Sequence, residues 1–490
     1  MIIGLALFFG GVSAAQAAPI SDPQGDFIPS YTGPKGGDLD VLSIQGVYNG
    51  VTLRLDGVVN GAPGTTAGGS YIWGLQRGAG TARLAAQAPG VLFDATVSIT
   101  PGGATTVRDL ASGVSTTLPA SATVISGNKV SVTFNASLLP NLGLATPRYL
   151  INLWPRGAAG ISDFAPDNSD APLTLAFPTP ASAAAQTDLA IDDSSVAFDR
   201  LAERLRSGRR PDGTARLEPF LAVYGQTGDH GLDGSFVGKH DGWALTGGLD
   251  TALGAGVFVG VAGRGGRTTA TLTDGSHLTM DTLGGTAFAD WSRGPWFADV
   301  FVDAAQQQFK SSRAFLIGPT AIAAAASPKG DTISGGGQIG YELRAGKYAL
   351  IPAADLIATR SRVGSYQEIE PLGFGASVDA RSRQSDRLGL GVTIEQTETP
   401  AWGSLFLHGS VRYVQELGDR ADSFTYAFNA QPENRFLLGG VKTGRDYEVV
   451  DVGFDASVDG QAKVSVDYAP RFDGRGLMDH QFSVSARFTF

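Results

Sequence analysis

The feature that most constrains this chain is a period-two alternation running through residues 214–490. In Trp243–Asp250 one set holds Trp243, Leu245, Gly247 and Leu249, and the other Ala244, Thr246, Gly248 and Asp250. In Trp296–Asp303, Trp296, Ala298, Val300 and Val302 face one way while Asp299 and Asp303 face the other. In Val450–Val458, Val450, Val452, Phe454, Ala456 and Val458 stand against Asp451, Gly453, Asp455 and Ser457. Successive side chains of a strand point to opposite faces, so each segment reads as a strand with one apolar and one polar face. A soluble sandwich, with its two dry inner faces, has no place for this pattern. It fits a barrel with lipid outside and water or a polar plug inside.

Twelve such strands are expected, near 217–226, 240–252, 256–265, 279–293, 296–310, 330–345, 347–361, 385–397, 402–417, 445–458, 461–469 and 478–490. An even number closes an antiparallel sheet with both ends on one side. Gly294-Pro295, Gly346 and Asp459-Gly460 mark tight turns, whereas 266–278, 311–329, 362–384 and 418–444 read as long loops on the opposite rim. Tyr224, Trp243, Trp291, Trp296, Tyr341, Tyr348, Trp402, Tyr413 and Tyr468 lie near strand ends, as an interfacial aromatic girdle requires. A soluble barrel with end-of-strand aromatics is the alternative.

The last strand, 478–490, alternates Met478, His480, Phe482, Val484, Ala486, Phe488 and Phe490 with Asp479, Gln481, Ser483, Ser485, Arg487 and Thr489. It ends on an aromatic residue, as bacterial outer-membrane barrels do. No stretch of about 18 apolar residues occurs elsewhere, so any membrane span is made of strands.

Before the barrel, residues 181–213 change period. Leu189, Val196, Ala197, Leu201 and Leu205 recur at helical spacing from Thr187 to Arg206. Asp192 and Asp193 lie early, and Arg204, Arg206, Arg209 and Arg210 crowd the end, matching the helix dipole. The spacing predicts a helix of about five turns, long enough to cross much of a membrane inside a pore. An interdomain helix packed on a surface is the other reading.

Residues 1–17 combine the apolar run Ile2–Val12 with Ala15-Gln16-Ala17, a small-x-small cleavage pattern, and read as a secretory signal peptide. Residues 18–180 then carry short strand-like runs at 41–47, 51–55, 70–75, 91–100, 130–135 and 148–154, punctuated by Gly, Pro and Asn, which predict a β-sandwich. This region holds no Cys and no Glu, and all five histidines, His230, His240, His277, His408 and His480, lie downstream. Ser-His-Asp, Cys-dependent, His-ligated zinc and Glu-pair chemistries are therefore excluded from it, and a non-catalytic domain is expected. The net charge of −10 and the absence of a basic cluster argue against a nucleic-acid partner.

Asp22-Pro23-Gln24-Gly25-Asp26, with Asp38 and Asp40 after it, gathers hard oxygen donors around glycine-permitted bends. The segment resembles the opening of calcium-associated β-sandwich modules that bind carbohydrates or haem. Asp22, Asp26 and Asp38 are thus candidate Ca²⁺ ligands; the alternative is Asx-turns at Asp22 and Asp26 with Asp38 facing solvent. Tyr71, Trp73, Tyr149 and Trp154 fit either core packing or stacking on a sugar ring, so a glycan is a candidate surface ligand.

Signal peptide, exported domain, single helix and a twelve-stranded barrel ending in Phe490 together resemble a monomeric autotransporter of the type V secretion class. The resemblance implies an outer-membrane protein whose helix threads the barrel and whose exported passenger, 18–180, reaches the cell surface. It implies Sec export and a terminal strand read by the barrel-assembly machinery, with Ser483, Phe488 and Phe490 matching the assembly signal and Ser485 standing where that signal has Gly. It also sets Arg200, Arg204 and Arg206 against inward carboxylates, among them Asp250, Asp290, Asp299, Asp451 and Asp455. The passenger has no 20–30-residue repeat, and 187–206 holds no Asn of the kind used for self-cleavage, so it is expected to stay attached. A porin-like channel with a periplasmic sandwich is the competing function.

Overall fold

The computed structural model describes residues 19–176, 180–208, 217–230, 238–272, 274–317, 320–370, 372–442, 444–458, 462–474 and 476–488. The expected signal segment and Phe490 lie outside the described residues.

Twelve antiparallel strands form the barrel: β1 (Leu217–His230), β2 (Gly238–Gly254), β3 (Val257–Leu272), β4 (His277–Arg293), β5 (Trp296–Ile317), β6 (Lys329–Tyr341), β7 (Tyr348–Val363), β8 (Arg381–Glu398), β9 (Gly403–Glu416), β10 (Asp446–Val458), β11 (Ala462–Tyr468) and β12 (Gly476–Phe488). Each pairs with its sequence neighbour, and β12 closes on β1 from Phe220↔Arg487 to Gly228↔Asp479. Closure removes both sheet edges, which lipid requires because it offers no hydrogen bonds to open backbone. The outward set, including Leu221, Val223, Leu245, Val300, Val302, Val452 and Val484, is exposed, and the inward set, including Asp250, Asp299, Asp303, Asp455 and Asp479, is buried.

On the rim where β1 begins, the described connections are tight, and Gly294 and Gly346 supply the positive φ that such turns need. Trp291, Trp296, Tyr348 and Trp402 stand exposed there, with Trp296 and Tyr341 in an edge contact of 4.8 Å, so this part of the girdle is as expected. Tyr224 is the exception: it points inward and is buried.

The opposite rim differs from the expected irregular loops. Strands β3 and β4 continue beyond the expected loop start, with a turn at 274–275 between them, and β5 runs past the barrel to pair with Thr320–Ala326. The other two long stretches build a four-stranded sheet, Tyr366–Gln367, Ala376–Val378, Ser423–Phe428 and Arg435–Gly439, which caps the mouth. Arg313 of β5 ties down this cap through a buried bidentate pair with Glu368 (Nε–Oε1 3.0 Å, Nη2–Oε2 2.7 Å). Phe424, Tyr426, Phe428 and Phe436 form its apolar face.

Residues 19–176 form the expected sandwich. One sheet runs Ile20–Ser21, Val41–Tyr48, Thr52–Val59, Lys129–Asn135, Thr123–Ser126. The other runs Gly160–Ile161, Leu150–Gly157, Ser70–Gln76, Ala95–Ile99, Thr105–Asp109, Ser115–Thr117. Between them lie Leu53, Leu55, Val97, Ile99, Val132, Ile151 and Leu153, and Tyr71, Trp73, Tyr149 and Trp154 are buried as packing residues. Arg77, fully buried, bonds Asp94 and Asp109 at 2.6 Å each and the carbonyl of Pro140 at 2.9 Å, so its charge is matched on all sides.

The sandwich sits on the cap. Buried Gln431 donates to the carbonyls of Pro147 and Leu173, the latter at 2.8 Å, and Tyr48 meets Phe374 at 6.3 Å. One apolar cluster runs from the sandwich through the cap to Ala181, Ala183, Ala184, Ala185 and Leu189 at the start of the helix.

Candidate functional site

Helix α1 spans Ala181–Gly208, about two turns longer than the sequence pattern suggested, mostly because the alanine run at its start is enclosed by the cap. At 1.5 Å per residue its 28 residues reach about 42 Å, more than the ~30 Å hydrocarbon core. Every residue from Ala181 to Val196 is buried. A helix on an open surface keeps a wet face, so the interdomain-helix reading is replaced by a plug enclosed on all sides.

Charge fixes the plug. From Asp188 to Asp199 it is acidic and meets wall arginines: Asp188 with Arg383 of β8 (2.8 Å), Asp192 with Arg471 (2.5 Å), Asp193 with Arg264 of β3, and Asp199 with Arg412 of β9 (2.5 Å). From Arg200 to Arg206 its arginines meet wall carboxylates. Arg204 bonds Asp250 of β2; Arg206 bonds Glu395 of β8 (2.8 Å) and approaches Asp455 (3.6 Å); Arg200 approaches Asp451 (3.9 Å) and donates to Ser483 Oγ (3.3 Å). Acids toward the N-terminus and bases toward the C-terminus also suit the helix macrodipole. Arg204 lies over the Phe220 ring at 3.6 Å, and Phe198 packs on Phe301 at 4.7 Å.

The expected contacts of Arg200, Arg204 and Arg206 with Asp250, Asp451 and Asp455 are thus present. Asp299 is inward and buried but faces Asp290 across β4 and β5. The acidic half of the ladder was not anticipated, although Arg381, Arg383 and Arg387 recur on the inward parity of β8 and signal it. Of the assembly-signal residues, Phe488 is outward and 46% exposed, whereas Ser483 is a lumen residue.

On the sandwich, the three candidate calcium ligands separate. The carboxylate of Asp38 accepts from the Thr66 amide (2.9 Å) and hydroxyl (2.6 Å) and from the Gly64 amide (3.2 Å), so it anchors a loop and leaves the cluster. Asp40, Asp163 and Asp167 take its place. Asp22, Asp26 and Asp167 each bring an oxygen within 4.8 Å of the others, and so do Asp26, Asp40 and Asp163. Asp40 accepts from Gly25 and Asn60 at 3.0 Å, and Asp163 from Val41 and Phe164 at 2.8 Å. Asp22 Oδ2 and both oxygens of Asp26 are buried with no hydrogen-bond partner. Burial, reinforced by the neighbouring carboxylates, pushes Asp22 up to about 8, and burial raises Asp163 to about 7. The donor set is all oxygen, as Ca²⁺ prefers.

A closed twelve-stranded antiparallel barrel with an apolar outer band and an ion-paired helix in its lumen is an outer-membrane translocator-type pore. The autotransporter β-domain family model matches residues 220–469, just over half of the 490 residues, and the chain belongs to that family. It is therefore an outer-membrane autotransporter, embedded in outer-membrane lipid, with its sandwich on the surface side. Solved structures with a similar barrel include the translocator domain of autotransporter NalP from Neisseria meningitidis (16% identity, 61% of this chain and 98% of that one, TM-score 0.48). The β domain of the Bordetella autotransporter BrkA (10%, 56% and 100%, 0.42) and the transport unit of AIDA-I from Escherichia coli (12%, 57% and 92%, 0.36) are others. No curated protein matches the sequence.

Proposed function

We propose that this autotransporter is a display device. Its barrel exports residues 18–180, keeps them attached, and presents them as a non-catalytic binding domain whose ligand class includes glycans. The apolar cluster continuous from sandwich through cap to helix supports attachment, since release would expose that surface to water. The absence of asparagine from Ala181–Gly208 also supports it. Ca²⁺ held by Asp22, Asp26, Asp40, Asp163 and Asp167 stiffens the sandwich edge, which the orphaned oxygens there favour. Export runs through the Sec machinery by way of residues 1–17, and the barrel-assembly machinery reads β12. Immunoblots of cells and medium test attachment: one band of the signal-cleaved full length in the outer membrane is expected, and a released passenger-sized fragment overturns it. A glycan array probed with full chain, with Ca²⁺ and with chelator, tests the binding role; a chelator-insensitive melting profile removes calcium from the proposal.

A further inference from the structure

Where the plug's basic half meets the wall, four side chains from four elements converge on one point of the lumen. They are Glu203 of the helix, His408 of β9, Asp451 of β10 and Asp467 of β11, each with a ligand atom within 4.8 Å of the others. The His408 side chain is 1% exposed, and its Nε2 points at the three carboxylates without a well-formed hydrogen bond. Its distances are 3.0 Å to Asp467 Oδ1, 3.3 Å to Asp451 Oδ1 and 3.5 Å to Glu203 Oε1. Tetrahedral coordination with bonds of 2.0–2.1 Å separates neighbouring ligand atoms by about 3.3–3.4 Å, the middle of this range. Other contacts hold the far oxygens away: Arg200 takes Glu203 Oε2 (2.7 Å) and Ser483 takes Asp467 Oδ2 (3.1 Å), which leaves Glu203 Oε1 and Asp467 Oδ1 as orphans facing inward. Gly453 lies beneath, and a Cβ there would collide with Asp467 Oδ1 and His408 Nε2, so the cradle exists only because that residue is glycine. Beside it a lumen cavity of about 120 Å³, lined by Arg200, Glu203, Arg206, His408, Asp451 and Arg412, gives room for water.

We propose that this cluster is a first-row divalent transition-metal site, for Zn²⁺ or a neighbour, that clamps the threaded helix to β9, β10 and β11. One imidazole with three carboxylates selects this class over Ca²⁺, which takes oxygen alone. The three negative charges exceed the ion's two, and Arg200 and Arg206 balance the rest. In the metal-free form Arg206 Nη2 lies 3.1 Å from His408 Nδ1, and as an obligate donor it places the imidazole proton on Nε2. Metal binding displaces the Nε2 proton, which goes to Nδ1 or to solvent with any other proton the cluster holds, and Arg206 turns to Glu395 and Asp455, its existing partners. Since Glu203 is the one ligand on the helix, the site is complete only after the helix has seated.

The test uses untagged full chain in detergent micelles, stripped with EDTA, freed of chelator and titrated with Zn²⁺ while excess Ca²⁺ occupies the acidic cup on the sandwich. The expected result is one Zn²⁺ per chain by elemental analysis, an X-ray absorption spectrum with a single imidazole among oxygen neighbours, and a barrel melting temperature raised by Zn²⁺. His408→Gln should lose that ion, and Glu203→Gln, which leaves the wall intact, should weaken it by more than about 10-fold. Both should abolish the zinc-dependent shift. Failure to bind Zn²⁺, or binding with stoichiometry and spectrum unchanged in both variants, overturns the site.

Discussion

Asp192→Ala breaks the ladder at a deeply buried acidic rung and gives the account a quantitative test. Asp192 Oδ1 lies 2.5 Å from Arg471 Nη1, with both side chains almost fully buried, at 7% and 2% exposure. Stranding a buried charge costs about 3–5 kcal/mol when nothing else compensates it. Arg471 keeps Asp479 at 3.5 Å and Asp199 at 3.7 Å, so the expected cost lies lower, at about 2–3 kcal/mol. That multiplies the population of barrels with an unseated helix by roughly 30- to 150-fold. Two assays read it: hydrogen exchange of the helix amides in micelles, and the frequency of large-conductance openings in planar bilayers. Because Arg471 also serves Asp479 and Asp199, Arg471→Met is costly by itself, and the pair is isolated by the cycle Asp192→Ala, Arg471→Met and both together, with an expected coupling above about 1 kcal/mol. Single variants with wild-type exchange and conductance would refute the ladder as the plug's anchor.

On the sandwich, Arg77→Ala leaves Asp94 and Asp109 buried without their cation, and about 3–5 kcal/mol of sandwich stability should vanish, read as protease sensitivity of residues 19–176 in the full chain. Burial opposes ionisation of Asp109, but the Arg77 pair wins and lowers it to about 2. Its contribution is therefore intact above the unfolded value near 3.9 and lost as pH falls through about 2. Asp22 has the opposite sign: raised to about 8, it binds a proton in the folded state that the unfolded chain has released, so the cation-free sandwich loses stability as pH rises from about 4 to about 8. Added Ca²⁺ should reverse that trend, and calorimetry at pH 5 and pH 8 with and without chelator checks it. Gln431→Ala removes two donors from buried carbonyls of Pro147 and Leu173 and should loosen the docked sandwich, seen as faster exchange at those segments with the barrel unchanged.

The barrel was legible because its period is local: each strand carries its own two faces, so register and lumen side follow residue by residue, and β12 placed Asp479, Gln481 and Ser483 inward as observed. The helix was legible in type, but its start was hidden, since alanines such as Ala183 and Ala185 are silent about whether a wall surrounds them. The cap and the downstream members of the acidic cup, Asp163 and Asp167, were missed for one reason. Phe424, Tyr426 and Phe428 alternate inside a stretch punctuated like a loop, and Asp163 joins Asp26 and Asp40 only after more than a hundred residues of chain have folded. Non-local partners leave no trace in spacing. Asp38 was misplaced on the same account: its neighbours in sequence suggested the cluster, and its hydrogen bonds to Thr66 and Gly64 took it elsewhere.

The absence of cysteine makes the central claim directly measurable. Val114→Cys lies on an exposed position of the sandwich, 60% accessible, and Arg344→Cys beside the tight β6–β7 turn on the periplasmic rim. Intact cells treated with a membrane-impermeant maleimide should label Val114→Cys fully and Arg344→Cys only after the outer membrane is permeabilised. Labelling of Arg344→Cys on intact cells, or protection of Val114→Cys, would contradict a surface-displayed domain held by a plugged barrel.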